Sequence, residues 1–165
     1  MNLKRTAKHL VTPAWVVRRA FPGAALERIG QAIRASERTH TGELRFAIEA
    51  SLHPGALLRG QSPRARAEEV FAQLRVWDTG ANSGVLIYVQ LVDRRIEIVA
   101  DRGISEKVQQ SEWNAICRGM ETAFRERRFE QGALKAVARV TRLLEQHFPA
   151  RGENPDELPD KPVVL

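Results

Sequence analysis

This sequence lacks cysteine pairs, long apolar runs and recognised catalytic motifs. With the single cysteine Cys117 no internal disulfide forms, and no Cys/His pairs stand at zinc-binding spacing. The longest apolar run, residues 85–91, is interrupted by Gln90 and is far shorter than the roughly 20 residues that cross a bilayer. We therefore expect a cytoplasmic protein with no transmembrane segment. P-loop, G-x-S-x-G, H-E-x-x-H and dinucleotide-binding motifs are also missing, which excludes the most recognisable enzyme classes.

The N-terminus is basic but does not have the pattern of a signal peptide. Its apolar stretch is broken by Thr12 and Pro13 and is closed by Arg18 and Arg19. The whole net charge of +6 lies in residues 1–38, where eight basic side chains stand against two acidic ones. Such an arm favours peripheral contact with an anionic membrane or a membrane-associated protein partner. The alternative is a solvated, partly disordered leader with at most a short helix over residues 15–20. Nucleic acid is not an expected partner, because no aromatic residues for base stacking alternate with the charges.

The hydrophobic pattern predicts the order helix, strand, helix, strand, strand, helix, helix. Residues 43–50 alternate, which indicates a half-buried strand, whereas residues 85–91 are apolar without alternation, as in a strand covered on both faces. Ser62 and Pro63 are typical of a helix start, and the apolar stripe of that helix is expected to extend to Trp77. The fold class is therefore α/β, with a small mixed β-sheet sandwiched by helices.

Three segments follow from this pattern: a basic leader at 1–22, the folded domain at 23–149, and an extended proline-containing tail at 150–165. Prolines keep the tail out of a helix or a central strand. Its last residues, 163–165, are expected to dock on the domain.

Strand direction sorts the polar residues by their position along the sheet. A strand joined through a helix to the next strand is expected to run parallel to it, and the tight turn at Asp93 and Arg94 makes the third strand antiparallel. One end of the sheet is then expected to gather His40, Thr41, Glu43, Asp78, Asn82, Asp101 and Arg102. The other end holds His53, Asp93 and Arg94, and the Asp93–Arg94 pair reads as a solvated hairpin tip.

Several motifs resemble the TPM domain, a bacterial and plastid family. They are T-G-E before the first strand, V-F-A-Q-L-R-V-W-D at the end of the second helix, S-G-V-L-I-Y-V, D-R-R-I-E-I and A-D-R-G-I. The resemblance covers residues 24–148 and is strongest to a compact proteobacterial branch that lacks a signal peptide and a membrane helix. It implies an α/β/α sandwich and roles that include photosystem repair, receptor modulation, acid phosphatase activity and calcium binding. The family therefore indicates fold more than function.

A divalent cation site is the main functional hypothesis. The carboxylates of Glu43, Asp78 and Asp101 and the amide of Asn82 offer the hard oxygen ligands that Ca²⁺ or Mg²⁺ prefers, with Arg102 as an anion-binding residue. The alternative is structural: Asp78 and Asn82 form turns, and Asp101 pairs with Arg102 or Arg95. Cys117 is expected to be a core thiol and not a nucleophile.

These observations predict a non-enzymatic binding or accessory module, with a divalent metal at the acidic end of the sheet. The alternative function is a divalent-metal-dependent phosphatase that acts on phosphomonoesters, in which Arg102 holds the phosphate and a metal-bound water attacks it.

Overall fold

The computed structural model describes residues 3–150 and 156–165. In this part of the chain there are eight helices and four strands. The helices are α1 (Leu3–Val11), α2 (Trp15–Ala20), α3 (Gly23–Ser36), α4 (Pro54–Leu58), α5 (Pro63–Gln73), α6 (Arg102–Ser105), α7 (Gln110–Arg125) and α8 (Phe129–His147). The strands are β1 (Glu43–Glu49), β2 (Gly84–Gln90), β3 (Arg95–Ala100) and β4 (Val163–Val164).

The four strands form one mixed sheet in the order β3-β2-β1-β4. β1 and β2 are parallel, with Glu43 opposite Gly84, and β3 is antiparallel to β2, with Val85 opposite Ala100. Both predicted strand directions are confirmed. The starts of β1 and β2 and the end of β3 therefore share one end of the sheet, which we call the acidic end. The opposite end, where the β2–β3 hairpin turns, is called the hairpin end.

Helices and the tail cover the two faces of the sheet. Leu44, Phe46 and Ile48 of β1 point into the main core, which is completed by α3, α7 and α8. Ala47 of β1 and Tyr88 of β2 point the other way, into a smaller core that includes residues of α5 and the tail. The predicted α/β sandwich is confirmed, and so is the predicted N-cap of α5, where Ser62 Oγ accepts a hydrogen bond from the amide of Ala65 at 3.1 Å.

The interpretation of β1 as a half-buried strand is wrong, because all seven of its residues are buried. The charged residues of β1 alternate with apolar ones, a pattern typical of a strand with one face in solvent, but α5 and the tail cover that face. Arg66 reaches Glu49 at 2.8 Å, and the hydroxyl of Tyr88 also donates to Glu49. A buried carboxylate is tolerated when charge-assisted hydrogen bonds replace its water shell, and Arg66 and Tyr88 supply those bonds.

The buried stripe of α5 also ends earlier than predicted. The helix stops at Gln73, and Arg75 then takes a left-handed backbone conformation with φ of 53°. This turn buries Val76 completely and leaves Trp77 48% exposed. Trp77 is therefore a surface residue, and its guanidinium neighbour Arg75 lies over the indole ring at 5.8 Å.

The leader contains more helix than its sequence indicated, since α1 precedes α2. Arg5 donates to both carboxylate oxygens of Asp93, with contacts of 2.7–3.1 Å, and His9 Nε2 lies 3.1 Å from the same carboxylate. The amide of Leu52 donates to His9 Nδ1 at 2.9 Å. The Asp93 turn is thus not a solvated hairpin tip, because α1 docks on it.

The end of the tail pairs with β1, as expected for residues 163–165. Val163 lies opposite Ala47 in a parallel pairing, and the amide of Leu165 donates to the carbonyl of Ile48 at 2.9 Å. This position at the sheet edge is one where the preceding prolines are tolerated. Within the described residues no helix is both long and apolar enough to cross a membrane. The division of the chain at residues 22 and 149 remains a prediction.

Candidate functional site at the acidic end of the sheet

The turn after β3 and the loop before β2 contact each other at the acidic end. The amide of Gly103 donates to the carbonyl of Asn82 at 3.1 Å, and the amide of Asp101 donates to the carbonyl of Gly84 at 2.9 Å. A Cβ atom on Gly103 would lie only 2.7 Å from the carbonyl oxygen of Asn82 and 2.8 Å from that of Ala81. Glycine at this position lets the two loops approach closely, so the structure brings Asn82 and Asp101 together.

Asp101 uses only one of its carboxylate oxygens for local structure. Oδ1 accepts a hydrogen bond from the amide of Arg102 at 2.7 Å and caps α6. Oδ2 is buried and has no hydrogen-bond partner among the described residues. A buried carboxylate oxygen without a donor is costly and is normally matched by a proton donor or a cation. Asp101 is therefore the most incompletely satisfied of the predicted ligands.

The other predicted ligands have different surroundings. Asp78 is exposed and forms an ion pair with Arg75. Glu43 is only 1% exposed, and its Oε2 accepts a hydrogen bond from the tail amide of Leu158 at 3.2 Å. The Arg102 side chain is exposed, as an anion-binding residue would need to be. Among the described residues, Glu43, Asp78 and Asp101 do not form a group whose oxygens lie within 4.8 Å of one another.

Burial controls the protonation of Glu43. Loss of solvent raises the pKa of this carboxyl from 4.5 to about 7, and the nearby charges of Asp156 and Glu157 also raise it. Backbone amides of Glu157 and Leu158 act in the opposite direction by donating to the carboxylate. Glu43 is thus partly protonated near neutral pH. A cation that bound there would have to displace that proton.

The structure contains a second acidic group that the sequence did not reveal, and two of its residues come from the tail. Oxygens of Glu37, Asp156 and Asp160 all lie within 4.8 Å of one another. Burial, followed by a hydrogen bond to Asp160 and the charge of Glu43, raises the pKa of Glu37 to about 9. Glu37 is therefore protonated at neutral pH. The acidic residues of the tail are visible in the sequence, but no pattern there places them beside Glu37.

Two arginines already offset the charge of this group. Arg34 donates to Asp160 Oδ2 at 2.7 Å. Arg45 is buried nearby, where burial lowers the pKa of its guanidinium and the charges of Asp160 and Glu37 act to raise it. With two guanidinium groups and a proton present, the group has no excess of negative charge that requires a cation. We interpret it as the polar contact that holds the tail against α3 and β1.

The predicted core thiol is consistent with its surroundings. Cys117 lies on α7 against the main core. Burial raises the pKa of its thiol from 9.0 to about 12, and the charges of Glu97 and Glu121 act in the same direction. Since the thiolate is the nucleophilic form, this position disfavours nucleophilic chemistry.

Comparisons with known proteins connect this geometry to a family. The family model described as TPM domain matches residues 19–143. An NMR structure of the BA42 protein from the psychrophilic bacterium Bizionia argentinensis is 27% identical, with a TM-score of 0.75, and the match covers 88% of this chain and 95% of that chain. The N-terminal domain of a P. gingivalis protein shares the fold at 16% identity and a TM-score of 0.61, over 85% of this chain and 94% of that one. No curated protein matches this chain.

Proposed function

Because this chain belongs to the TPM domain family, a family whose fold does not specify one activity, we propose that it is a non-enzymatic binding or accessory module. Its ligand surface is the acidic end of the sheet, and its ligand there is a divalent cation, Ca²⁺ or Mg²⁺. We propose Asp101 and the Asn82 loop as its ligands, whereas Asp78 and Glu43 add negative charge at the same end of the sheet without joining Asp101 in one oxygen cluster among the described residues.

The unpartnered Oδ2 atom of Asp101 is the observation that carries this proposal. Hard cations accept carboxylate, amide and backbone carbonyl oxygens together. The Asn82 loop presents backbone carbonyls directly above Gly103, two residues after Asp101. Backbone carbonyls two residues away from an unsatisfied carboxylate oxygen are ligand types that such a site uses.

No specific contact favours the alternative phosphatase. That activity requires Asp78, Asp101 and Arg102 to act on one phosphate group. Among the described residues, no hydrogen bond or ion pair links these three side chains to one another. Metal binding without hydrolysis is therefore the function that we put forward.

Thermal unfolding in the presence and absence of metal tests the proposal. A ligand that binds only the folded protein raises the melting temperature, so millimolar Ca²⁺ or Mg²⁺ should raise it relative to a chelator. Asp101→Asn should remove this shift while keeping the helix cap, because asparagine also caps helices well. Asp156→Asn is the matched control, and it should retain the shift. If Asp156→Asn abolishes the shift and Asp101→Asn does not, the cation belongs to the group under the tail and the proposal is wrong.

Release of phosphate from an aryl phosphate, measured with added Ca²⁺, Mg²⁺ or Mn²⁺, separates the two functions. We expect wild-type protein to match buffer alone. Hydrolysis above that background which disappears in both Asp78→Ala and Asp101→Ala would establish the phosphatase and overturn the non-enzymatic assignment.

We also propose that the leader makes a peripheral contact with an anionic membrane surface, in a cytoplasmic location. Leu10, Val11 and Trp15 are 61%, 78% and 51% exposed. Lys8 is exposed on the same helix as Leu10 and Val11. Apolar and basic groups together favour binding to an anionic interface. Sedimentation with anionic vesicles should fall when Trp15 is replaced by serine, and equal sedimentation with neutral vesicles would contradict the proposal.

A further inference from the structure

A cavity of about 220 Å³ lies at the hairpin end, where α2, the β2–β3 hairpin and the turn between α7 and α8 meet. Its apolar wall includes Val16, Leu91, Phe124 and Phe129. The rings of Phe124 and Phe129 are 5.0 Å apart, and each lies 5.8 Å from the buried ring of Phe21. Mutual ring contacts of this kind hold the wall in place.

Gln90 lines the cavity and carries a buried hydrogen-bond donor. Gln90 is 0% exposed, and its Oε1 accepts a hydrogen bond from the amide of Asp93 at 2.9 Å. This bond fixes the orientation of the side chain, because only the oxygen of the amide can accept from an N–H group. The Nε2 atom is then a donor, and it is buried without a hydrogen-bond partner among the described residues. An unpaired buried amide is unfavourable, so this donor at the cavity lining lacks an acceptor.

The charged residues that line the cavity are mostly arginines. Four arginines line the cavity, namely Arg94, Arg95, Arg125 and Arg127. Its one acidic lining residue, Glu121, lies 3.6 Å from Arg95 and 3.9 Å from Arg125. Both distances are longer than those of a close charge-assisted hydrogen bond, about 2.7–2.9 Å. The lining therefore keeps an excess of positive charge.

Two of these arginines occupy backbone positions that suit glycine. Arg94 has φ of 52° and Arg127 has φ of 60°, both in the left-handed region. Glycine or asparagine is usual at such positions, and arginine there is less favourable for the backbone. Glycine at either position would suit the backbone at least as well, so each arginine side chain can be removed without straining its turn.

We propose that this cavity binds a small organic anion. Its carboxylate or phosphate head accepts hydrogen bonds from Gln90 Nε2 and the arginines, because guanidinium and amide donors match oxyanions. Its body is apolar, in keeping with the aromatic wall. Drug-sized ligands occupy pockets of about 300–1,000 Å³, so a cavity of about 220 Å³ fits a smaller molecule. The cavity is at the opposite end of the sheet from the proposed cation site, and neither site depends on the other.

Binding of four probes by isothermal titration calorimetry at low salt tests the ligand class. The probes are phenyl phosphate, benzoate, inorganic phosphate and benzyl alcohol. At least one of the first two probes should bind tenfold or more tightly than inorganic phosphate, which lacks the apolar body, since burial of an aromatic ring is worth about this factor. It should also bind tenfold or more tightly than benzyl alcohol, which lacks the charge that strengthens hydrogen bonds. Equal affinity for all four, or binding to anionic vesicles but to neither soluble anion, would overturn the proposal.

Glycine substitutions locate the site without endangering the fold. Arg94→Gly and Arg127→Gly remove a charge and relax a left-handed residue, so the melting temperature should stay level or rise. Affinity for the tighter anion should fall about tenfold in each, the typical effect of losing one hydrogen bond to a charged group. Arg75→Gly is the matched control, because Arg75 has φ of 53° and lies outside the cavity lining. An equal loss in all three variants, or a loss in none, would show that the cavity is not the binding site.

Replacing the buried amide tests the remaining contact. Gln90→Glu keeps an acceptor for the amide of Asp93 and puts a second carboxylate oxygen in place of the Nε2 donor. Binding of the anion should be lost, and undiminished binding would exclude Gln90 from the site. If this variant does not fold, the glycine series still decides the question.

Discussion

Replacing Glu43 by glutamine should stabilise the protein at alkaline pH and leave it almost unchanged at acidic pH. Glu43 is 1% exposed, and burial raises the pKa of its carboxyl from 4.5 in the ordinary case to about 7. Between these two values the folded protein holds a proton that the unfolded chain has released. The free energy of unfolding therefore falls as the pH rises from about 4.5 through 7.

The size of the effect follows from the shift in pKa. One pKa unit corresponds to about 1.4 kcal/mol, so the raised pKa of Glu43 lowers the free energy of unfolding by on the order of 3 kcal/mol between pH 4.5 and pH 8. Glutamine is neutral at every pH and keeps an oxygen for the amide of Leu158. Glu37 contributes a pH dependence of the same sign, because its pKa is also raised. The charge of Glu43 adds to that rise, so the difference between variant and wild type measures Glu43 together with its effect on Glu37.

Urea unfolding at pH 5, 6, 7 and 8, followed by tryptophan fluorescence in buffer with a chelator, measures this difference. The advantage of Glu43→Gln over wild type should grow from pH 5 to pH 7 and change little between pH 7 and pH 8. The control Glu106→Gln removes an exposed glutamate on the surface and should retain the wild-type pH dependence. A Glu43→Gln variant that parallels wild type at every pH, or is less stable at pH 8, would refute the assigned burial of this carboxylate.

Two further substitutions test how the sheet is held at its two ends. Gly84→Ala should destabilise the protein by about 3 kcal/mol in chemical denaturation, since the added Cβ would lie 1.8 Å from the carbonyl oxygen of Val76. The control Gly23→Ala should be close to neutral, because its added Cβ meets nothing within 4 Å. Asp93→Ala should lower the free energy of unfolding by about 1–3 kcal/mol and should reduce amide hydrogen-exchange protection in α1. Burial alone would raise the pKa of Asp93, but its bonds to Arg5 and to a histidine of α1 lower that pKa overall, so these bonds stabilise the docked helix. Unchanged protection in α1 would mean that the helix does not depend on this contact.

Local patterns were sufficient to predict the directions of β1, β2 and β3 and the end of the sheet at which Asn82 and Asp101 lie. The apolar strand at residues 85–91, the helix before it and the tight turn after it predicted parallel and antiparallel pairing, which places Asn82 and Asp101 at the same end. Strand direction is decided by connection length and handedness, which are properties of neighbouring segments.

Contacts between distant segments were not predictable in the same way. The bond from Arg5 to Asp93 spans 88 residues, and that from Leu158 to Glu43 spans 115. Neither α1 nor the tail has a pattern that specifies where it docks. The burial of β1 was missed for this reason, since the alternation of Arg45 and Glu49 with apolar residues is also typical of a solvent-facing strand.

The cavity at the hairpin end shows the same limit. Arg94 and Arg95 were visible in the sequence as a charged turn, whereas Arg125 and Arg127 lie at the end of α7, far away along the chain. Only the packing of α7 and α8 against the hairpin brings these residues to one cavity. Sequence spacing could not have combined them.

Titration of ¹⁵N-labelled protein with Ca²⁺ and Mg²⁺, followed by amide chemical shifts, tests the central claim most directly. We predict saturable shifts concentrated in residues 78–84 and 101–103, with a smaller effect at Glu43 and Leu158, and their loss in Asp101→Asn. An unchanged spectrum, or shifts confined to the surroundings of Glu37 and Asp160, would contradict a cation site at Asp101.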